Sequence, residues 1–102
     1  MFRLTIVYPS VAEAHFDFDY YAKSHMPMVT FLIGKSALRI EVAKGLLGYG
    51  GSPAPYAAVG HIYLKDLDGL QAAFQNYGSR IQADVLKYTN IAPVVNIEEM
   101  LP

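Results

Sequence analysis

Three histidines and eight tyrosines carry most of the chemistry open to this chain of 102 residues, which has no cysteine and no tryptophan. His25 is the strongest candidate. At about 100° per residue it falls in the middle of an amphipathic helical stripe with Phe18, Tyr21, Ala22, Met28, Val29 and Leu32. A histidine on that stripe points at a sheet and not at water. Desolvation lowers its pKa and favours neutral imidazole able to take a proton. Two roles fit. One is a general base or orienting donor in a pocket between the helix and the sheet. The other is a buried histidine bonded to a backbone carbonyl or a tyrosine hydroxyl, bracing the helix at Pro27. Tyr21, one turn earlier on the stripe, can polarise a substrate oxygen, or fill core and bond His25. His61 lies mid-strand beside Val59 and Tyr63. It can supply a second acid–base group, or its face can line a dimer interface. The candidate walls of a substrate site are Phe18 and Met28 on the stripe, Tyr8 at a strand end, Tyr63, and Tyr49 in a glycine-rich loop. Tyr49 can equally be an exposed turn aromatic. His15, ahead of the helix, reads as solvated, and Tyr20 as pointing to the surface or a dimer contact.

Other constellations fail. Without cysteine there is no thiol nucleophile, disulfide framework, iron–sulfur cluster or zinc ribbon. No two histidines stand at i,i+3 or i,i+4, so neither a metal nor a cofactor is expected. Gly48-Tyr49-Gly50-Gly51-Ser52 is not followed by a helix and matches no phosphate loop. A net charge of −1 gives no footprint for nucleic acid or anionic membrane. No apolar run reaches the ~18 residues that a bilayer requires, and the N-terminus lacks the pattern of a signal peptide. The expectation is a soluble, cytoplasmic protein.

The elements that must position His25 follow from periodicity. Phe2 to Tyr8 alternates as a strand, and Asp17 and Asp19 mark the start of a helix over 17–33, with Gly34 at its end. Pro27 falls on the solvent side of the wheel, where it bends the helix without severing it. Leu38 to Val42 and Tyr56 to Lys65 read as strands around a mobile Gly/Pro loop. A second helix starts near Asp66 or Asp68 with the stripe Leu70, Phe74, Tyr77, Ile81 and Val85, open to a break at Gly78-Ser79. Pro93 to Met100 is the last strand. The order β-α-β-β-α-β predicts an α+β, ferredoxin-like sandwich, a four-stranded antiparallel sheet with both helices on one face.

One domain accounts for the whole length. Its composition is unusually apolar: 53% hydrophobic and 17% charged, against about 45–50% and ~25% in typical domains. Both faces of the first and third strands carry apolar or aromatic groups. Two sheets packed face to face, as in a dimeric α+β barrel, would cover the second face, so a homodimer is expected.

The stretch Phe18-Asp19-Tyr20-Tyr21-Ala22-Lys23-Ser24-His25-Met26-Pro27-Met28-Val29 resembles the signature of the EthD family: an aromatic pair, three residues, His-x-Pro and two apolar residues. Asp84-Val85-Leu86-Lys87-Tyr88-Thr89-Asn90-Ile91-Ala92-Pro93 is similar to that family's Asp…aromatic-Thr…Pro segment. The resemblance spans nearly all of 1–102. It implies a dimeric α+β barrel of small-molecule metabolism. EthD-type proteins are found near degradative oxygenases. Similar barrels include cofactor-free monooxygenases, cyclases, lactone isomerases, dehydratases and haem-degrading enzymes. The last usually rely on a tryptophan that this chain lacks. Fold does not fix chemistry. The leading expectation is a protein that binds a hydrophobic or aromatic metabolite, with cofactor-free proton chemistry by His25 (isomerisation, cyclisation, dehydration or decarboxylation). The alternatives are a non-catalytic accessory protein of a degradation pathway and a cofactor-independent monooxygenase.

Overall fold

Strict alternation in the first strand decides the sheet. In the computed structural model, which describes all of residues 1–102, β1 (Phe2–Pro9) pairs antiparallel with β3 (Tyr56–Leu64) on one side and β4 (Val94–Glu99) on the other. β2 (Ala37–Lys44) completes the sheet in the order β2-β3-β1-β4. The two helices α1 (residues 18–33) and α2 (Asp68–Val85) cover one face. This is the ferredoxin-like β-α-β-β-α-β plan that the periodicity predicts. The core lies between the layers: Leu4, Tyr8, Ile62 and Leu64 from the sheet meet Tyr21, Met26, Val29 and Ile33 from α1, and Leu70, Ala73 and Ile81 from α2. Each large side chain removed from water contributes about 1.5–3 kcal/mol.

α1 is not a uniform helix. A short α-turn, Phe18–Tyr20, is capped by the Asp17 side chain, which accepts from the Tyr20 N–H at 3.0 Å. Tyr21–His25 then winds as a π-helix, with the Met26 N–H bonding back to the Tyr21 carbonyl, and Met26–Ile33 is α-helical again. Pro27 is the physical cause: it has no N–H to give and its ring crowds the carbonyl four residues back, a conflict that a wider turn relieves. The extra residue shifts the buried stripe. Tyr21 and His25 stay inward, but beyond the bulge the buried residues are Met26, Val29 and Ile33. Met28 is only partly buried and Ala22 is exposed, contrary to a straight-helix wheel. Gly34 ends the helix with φ of 80°, a conformation that favours glycine.

α2 runs unbroken through Gly78-Ser79. Its start is stabilised by Asp66, which accepts from the Asp68 N–H at 3.2 Å and from the Ser36 hydroxyl at 2.6 Å. Phe74 and Tyr77 remain exposed, because the sheet-facing side of α2 is only partly packed. No helix is long and apolar enough to cross a membrane.

The second sheet face carries three cross-strand rows. Arg39, Tyr63, Arg3 and Glu98 form the first; Glu41, His61, Thr5 and Asn96 the second; Ala43, Val59, Val7 and Val94 the third. Only the third is apolar. The apolar and aromatic groups expected on this face, Val7, Val59, Tyr63 and Val94, are there, but two of its rows are otherwise polar and linked internally. Arg3 Nε bonds Glu98 at 2.6 Å, Thr5 donates to the same carboxylate at 2.6 Å, and Arg39 lies over the Tyr63 ring at 4.1 Å.

Candidate functional site

The π-turn presents the Tyr21 and His25 rings together inside the molecule, nearly parallel with centroids 5.8 Å apart. Facing them from the last turn of α2 is Asp84, a buried acid. His25 Nδ1 and Asp84 Oδ2 are 2.8 Å apart. The other carboxylate oxygen accepts from the Tyr20 hydroxyl at 2.8 Å and faces Lys87 Nζ at 3.4 Å. Burial, the largest single influence on Asp84, pushes its pKa up. The hydrogen bonds from His25 and Tyr20, with Lys87 nearby, outweigh it and hold the carboxyl below its ordinary range. Burial pushes the His25 pKa below 6.5, and Asp84 offsets this only in part. The pair is therefore carboxylate and neutral imidazole near pH 7. The ring proton sits on Nδ1 and donates to Asp84, which leaves the Nε2 lone pair as the free acceptor.

His25 borders a cleft of about 580 Å³ between the helices and the β1/β4 half of the sheet, a size in the range of small-molecule sites. Leu4, Ile6 and Tyr8 form its floor, Met26 and Val29 one wall, and Phe74, Gly78, Ile81, Gln82 and Val85 of α2 the other. Pro93 and Val95 close the β4 side. Val95 is 50% exposed and Phe74 39%, so the mouth lies between α2 and the β4 edge.

Two further tyrosines, Tyr21 and Tyr88, stand behind Tyr8. The Tyr8 and Tyr88 hydroxyls share a hydrogen bond of 2.5 Å. Burial raises the pKa of Tyr8, Tyr21 and Tyr88, so all three stay protonated. The Tyr21 hydroxyl is the one fully buried side-chain polar atom without a hydrogen-bond partner. It rests on Gly60 of β3, where a Cβ would lie 2.1 Å from the phenolic oxygen. A glycine at the centre of that strand is what lets Tyr21 lie flat against the sheet. The segment after α2 locks the arrangement. The Tyr88 carbonyl accepts from the Asp17 N–H at 2.8 Å, and Thr89 donates to the His15 carbonyl at 2.7 Å.

Of the residues singled out in the sequence, the structure brings His25 and Tyr8 to the cleft and places Tyr21 immediately behind it. Phe18 packs on Phe16 with Lys44 over its ring, and Met28 lies on the far side of the bulge; neither borders the cleft. His61 and Tyr63 stand on the other sheet face, because odd positions of β3 point away from the helices. His61 Nδ1 lies 3.0 Å from the Thr5 hydroxyl, and Tyr63 donates to Glu41 at 2.9 Å. Tyr49 is fully exposed at a separate shallow depression beside Val59 and Leu47, so it sits near the apolar row and not over the cleft. Sequence reasoning overlooked Asp84, Tyr88, Lys87 and the inward hydroxyl of Tyr20. Asp84 had a signal: it lies three residues from Ile81, so it is an acid on the inward side of α2. No group of three or more His, Asp or Glu side chains is placed to hold a metal ion.

Fold and site together define a ferredoxin-like α+β protein of the dimeric-barrel type with a histidine–carboxylate pair at an internal cleft. The EthD domain model matches residues 9–92, and the chain belongs to the EthD family. An EthD-like protein from Ralstonia eutropha JMP134 is 33% identical and superposes with a TM-score of 0.91, over 99% of this chain and 92% of that one. An ethyl tert-butyl ether D (EthD) family protein from Bacillus halodurans C-125 is 20% identical with a TM-score of 0.70, covering 99% of both chains. SnoaB, a cofactor-independent oxygenase from Streptomyces nogalater, shares the fold at 8% identity and a TM-score of 0.60, over 99% of this chain and 92% of its own. No curated protein matches the chain.

Proposed function

We propose that this EthD protein is a homodimer of degradative or secondary metabolism that binds a hydrophobic or aromatic metabolite in the helix-side cleft and performs cofactor-free proton transfer on it. The carrying observation is His25, whose Nδ1 is committed to Asp84 while the ring borders an apolar cleft. In this reading Nε2 removes a proton from a carbon next to a carbonyl. The imidazolium so formed is stabilised by the ionised Asp84, which Tyr20 and Lys87 hold in place. The Tyr8 and Tyr88 hydroxyls are hydrogen-bonded, and in this reading Tyr88 takes the donor role, which leaves the Tyr8 proton for the developing enolate oxygen. Reprotonation elsewhere, loss of a leaving group or loss of carbon dioxide would then give the isomerase, cyclase, dehydratase or decarboxylase outcome. The apolar row of the second sheet face, with Val7, Val59 and Val94, supports pairing through that face.

A second reading is binding without catalysis. It is favoured by the Tyr21 hydroxyl, which is sealed against Gly60 and lies outside the cleft lining. Hydrogen–deuterium exchange of an enolisable bicyclic ketone such as 1-tetralone separates the two. Catalysis predicts exchange at least tenfold faster with the wild type than with His25→Gln while both bind the ketone. Equal exchange with retained binding leaves the binding reading.

A further inference from the structure

Gly78 sits mid-helix in α2 and borders the cleft, one turn after Phe74 and one turn before Gln82. Nothing in the fold calls for a glycine there. Its φ is not in the left-handed region, and a Cβ built on it would meet no atom within 4 Å. A glycine inside a helix is destabilising relative to alanine, so the local structure would be better served by a side chain. What its absence supplies is a notch in the cleft wall, on α2 between Phe74 and Gln82.

The charge pattern of the same cleft is equally one-sided. None of its lining residues is Lys, Arg, Asp or Glu. The nearest carboxylate, Asp84, is shielded behind His25, and its oxygens are already engaged by His25, Tyr20 and Lys87. An anion entering here would lose its hydration with no cation to replace it and a carboxylate close behind the imidazole. A cation would find no free acceptor of opposite charge. Burial without compensation excludes both.

We propose that the cleft selects an uncharged, largely apolar molecule bearing one oxygen function, held with that oxygen at the polar end that Tyr8 and His25 form and its apolar body in the notch that Gly78 leaves open. Gly78 is thus the size-determining position. The inference rests on the reading of the cleft as a ligand site and adds the ligand's charge and the residue that limits its bulk.

The test is calorimetric titration at pH 7.5 with 1-naphthol, 1-naphthoate and 1-naphthylmethylamine on wild type, Gly78→Ala and Gly78→Leu, with a melting curve for each. The wild type is expected to bind 1-naphthol at least tenfold more tightly than either charged probe. Gly78→Leu should weaken 1-naphthol binding at least tenfold while remaining folded, and Gly78→Ala should melt a few degrees higher than the wild type. Naphthoate or the amine binding as tightly as naphthol overturns the charge selection. Unchanged naphthol affinity in Gly78→Leu, or a lowered melting point in Gly78→Ala, overturns the role of the notch. If no probe binds the wild type at millimolar concentration, the ligand-site reading itself falls, and this proposal with it. Tight but unselective binding removes this proposal alone.

Discussion

Two histidines of the same sheet-and-helix sandwich meet different fates on its two faces. Each is held below its ordinary pKa by burial first, and each uses Nδ1 toward a hydroxyl or carboxylate. On the open face, His61 bonds Thr5, whose single proton goes to Glu98, a carboxylate held at about 2 by Arg3 and Thr5. That relay ends in a salt bridge beside solvent, and the ring is part of a polar ladder across three strands. On the covered face, His25 bonds Asp84 directly, and its ring borders an apolar cleft. The same side chain is thus a surface ladder member in one place and a candidate base in the other. What separates them is the dryness of the cavity and the carboxylate one bond away.

The largest break in this contrast should come from Gly60→Ala. A methyl group there would meet the Tyr21 oxygen at 2.1 Å and Met26 Cε at 3.1 Å. It should cost about 3 kcal/mol in urea unfolding and disturb the His25 side alone. A cost below about 0.5 kcal/mol would show that Tyr21 can leave the sheet freely. Asp84→Ala comes next. It leaves the His25 Nδ1–H and the Tyr20 hydroxyl without their acceptor and should cost about 2 kcal/mol. Histidine NMR should then show the proton of His25 no longer fixed on Nδ1. An unchanged tautomer would remove Asp84 as the orienting group.

Acid should separate the two histidines further. A depressed folded pKa means that the unfolded chain takes up the proton first, so the stabilisation is complete above about 6.5 and is lost as pH falls through that value toward the folded one. Unfolding midpoints should therefore drop between pH 7.5 and pH 5. His25→Gln should flatten that drop more than His61→Gln, because His61 is better solvated. An equal flattening would contradict the contrast in burial. The smallest effect on the fold itself should be Val59→Lys in the apolar row, within about 0.5 kcal/mol. Sedimentation at micromolar concentration should nevertheless show the wild type as a dimer and this variant as a monomer. A wild-type monomer would refute pairing through this face.

Much of this was legible in residue order. Alternation in Phe2–Tyr8 and the helical stripe around His25 give the strand, the helix and the inward imidazole, because a period of 2 or 3.6 is a local property. The same periodicity misplaced Met28, since it cannot register the extra residue that Pro27 forces into the helix. It listed both faces of β3 correctly but could not say which one meets the helices, so His61 and Tyr63 stood as candidates beside residues on the opposite side. Asp84 was visible as part of a motif, yet nothing local connects it to a histidine 59 positions earlier.

Chain order and side-chain period thus specify the β-α-β-β-α-β plan, the family pattern and the burial of His25. The pairing of His25 with Asp84, the seat of Tyr21 on Gly60 and the cleft bounded by Gly78 arise only when α2 is laid across the sheet. They depend on distances between segments remote in sequence, and packing sets those distances while local conformational preference does not.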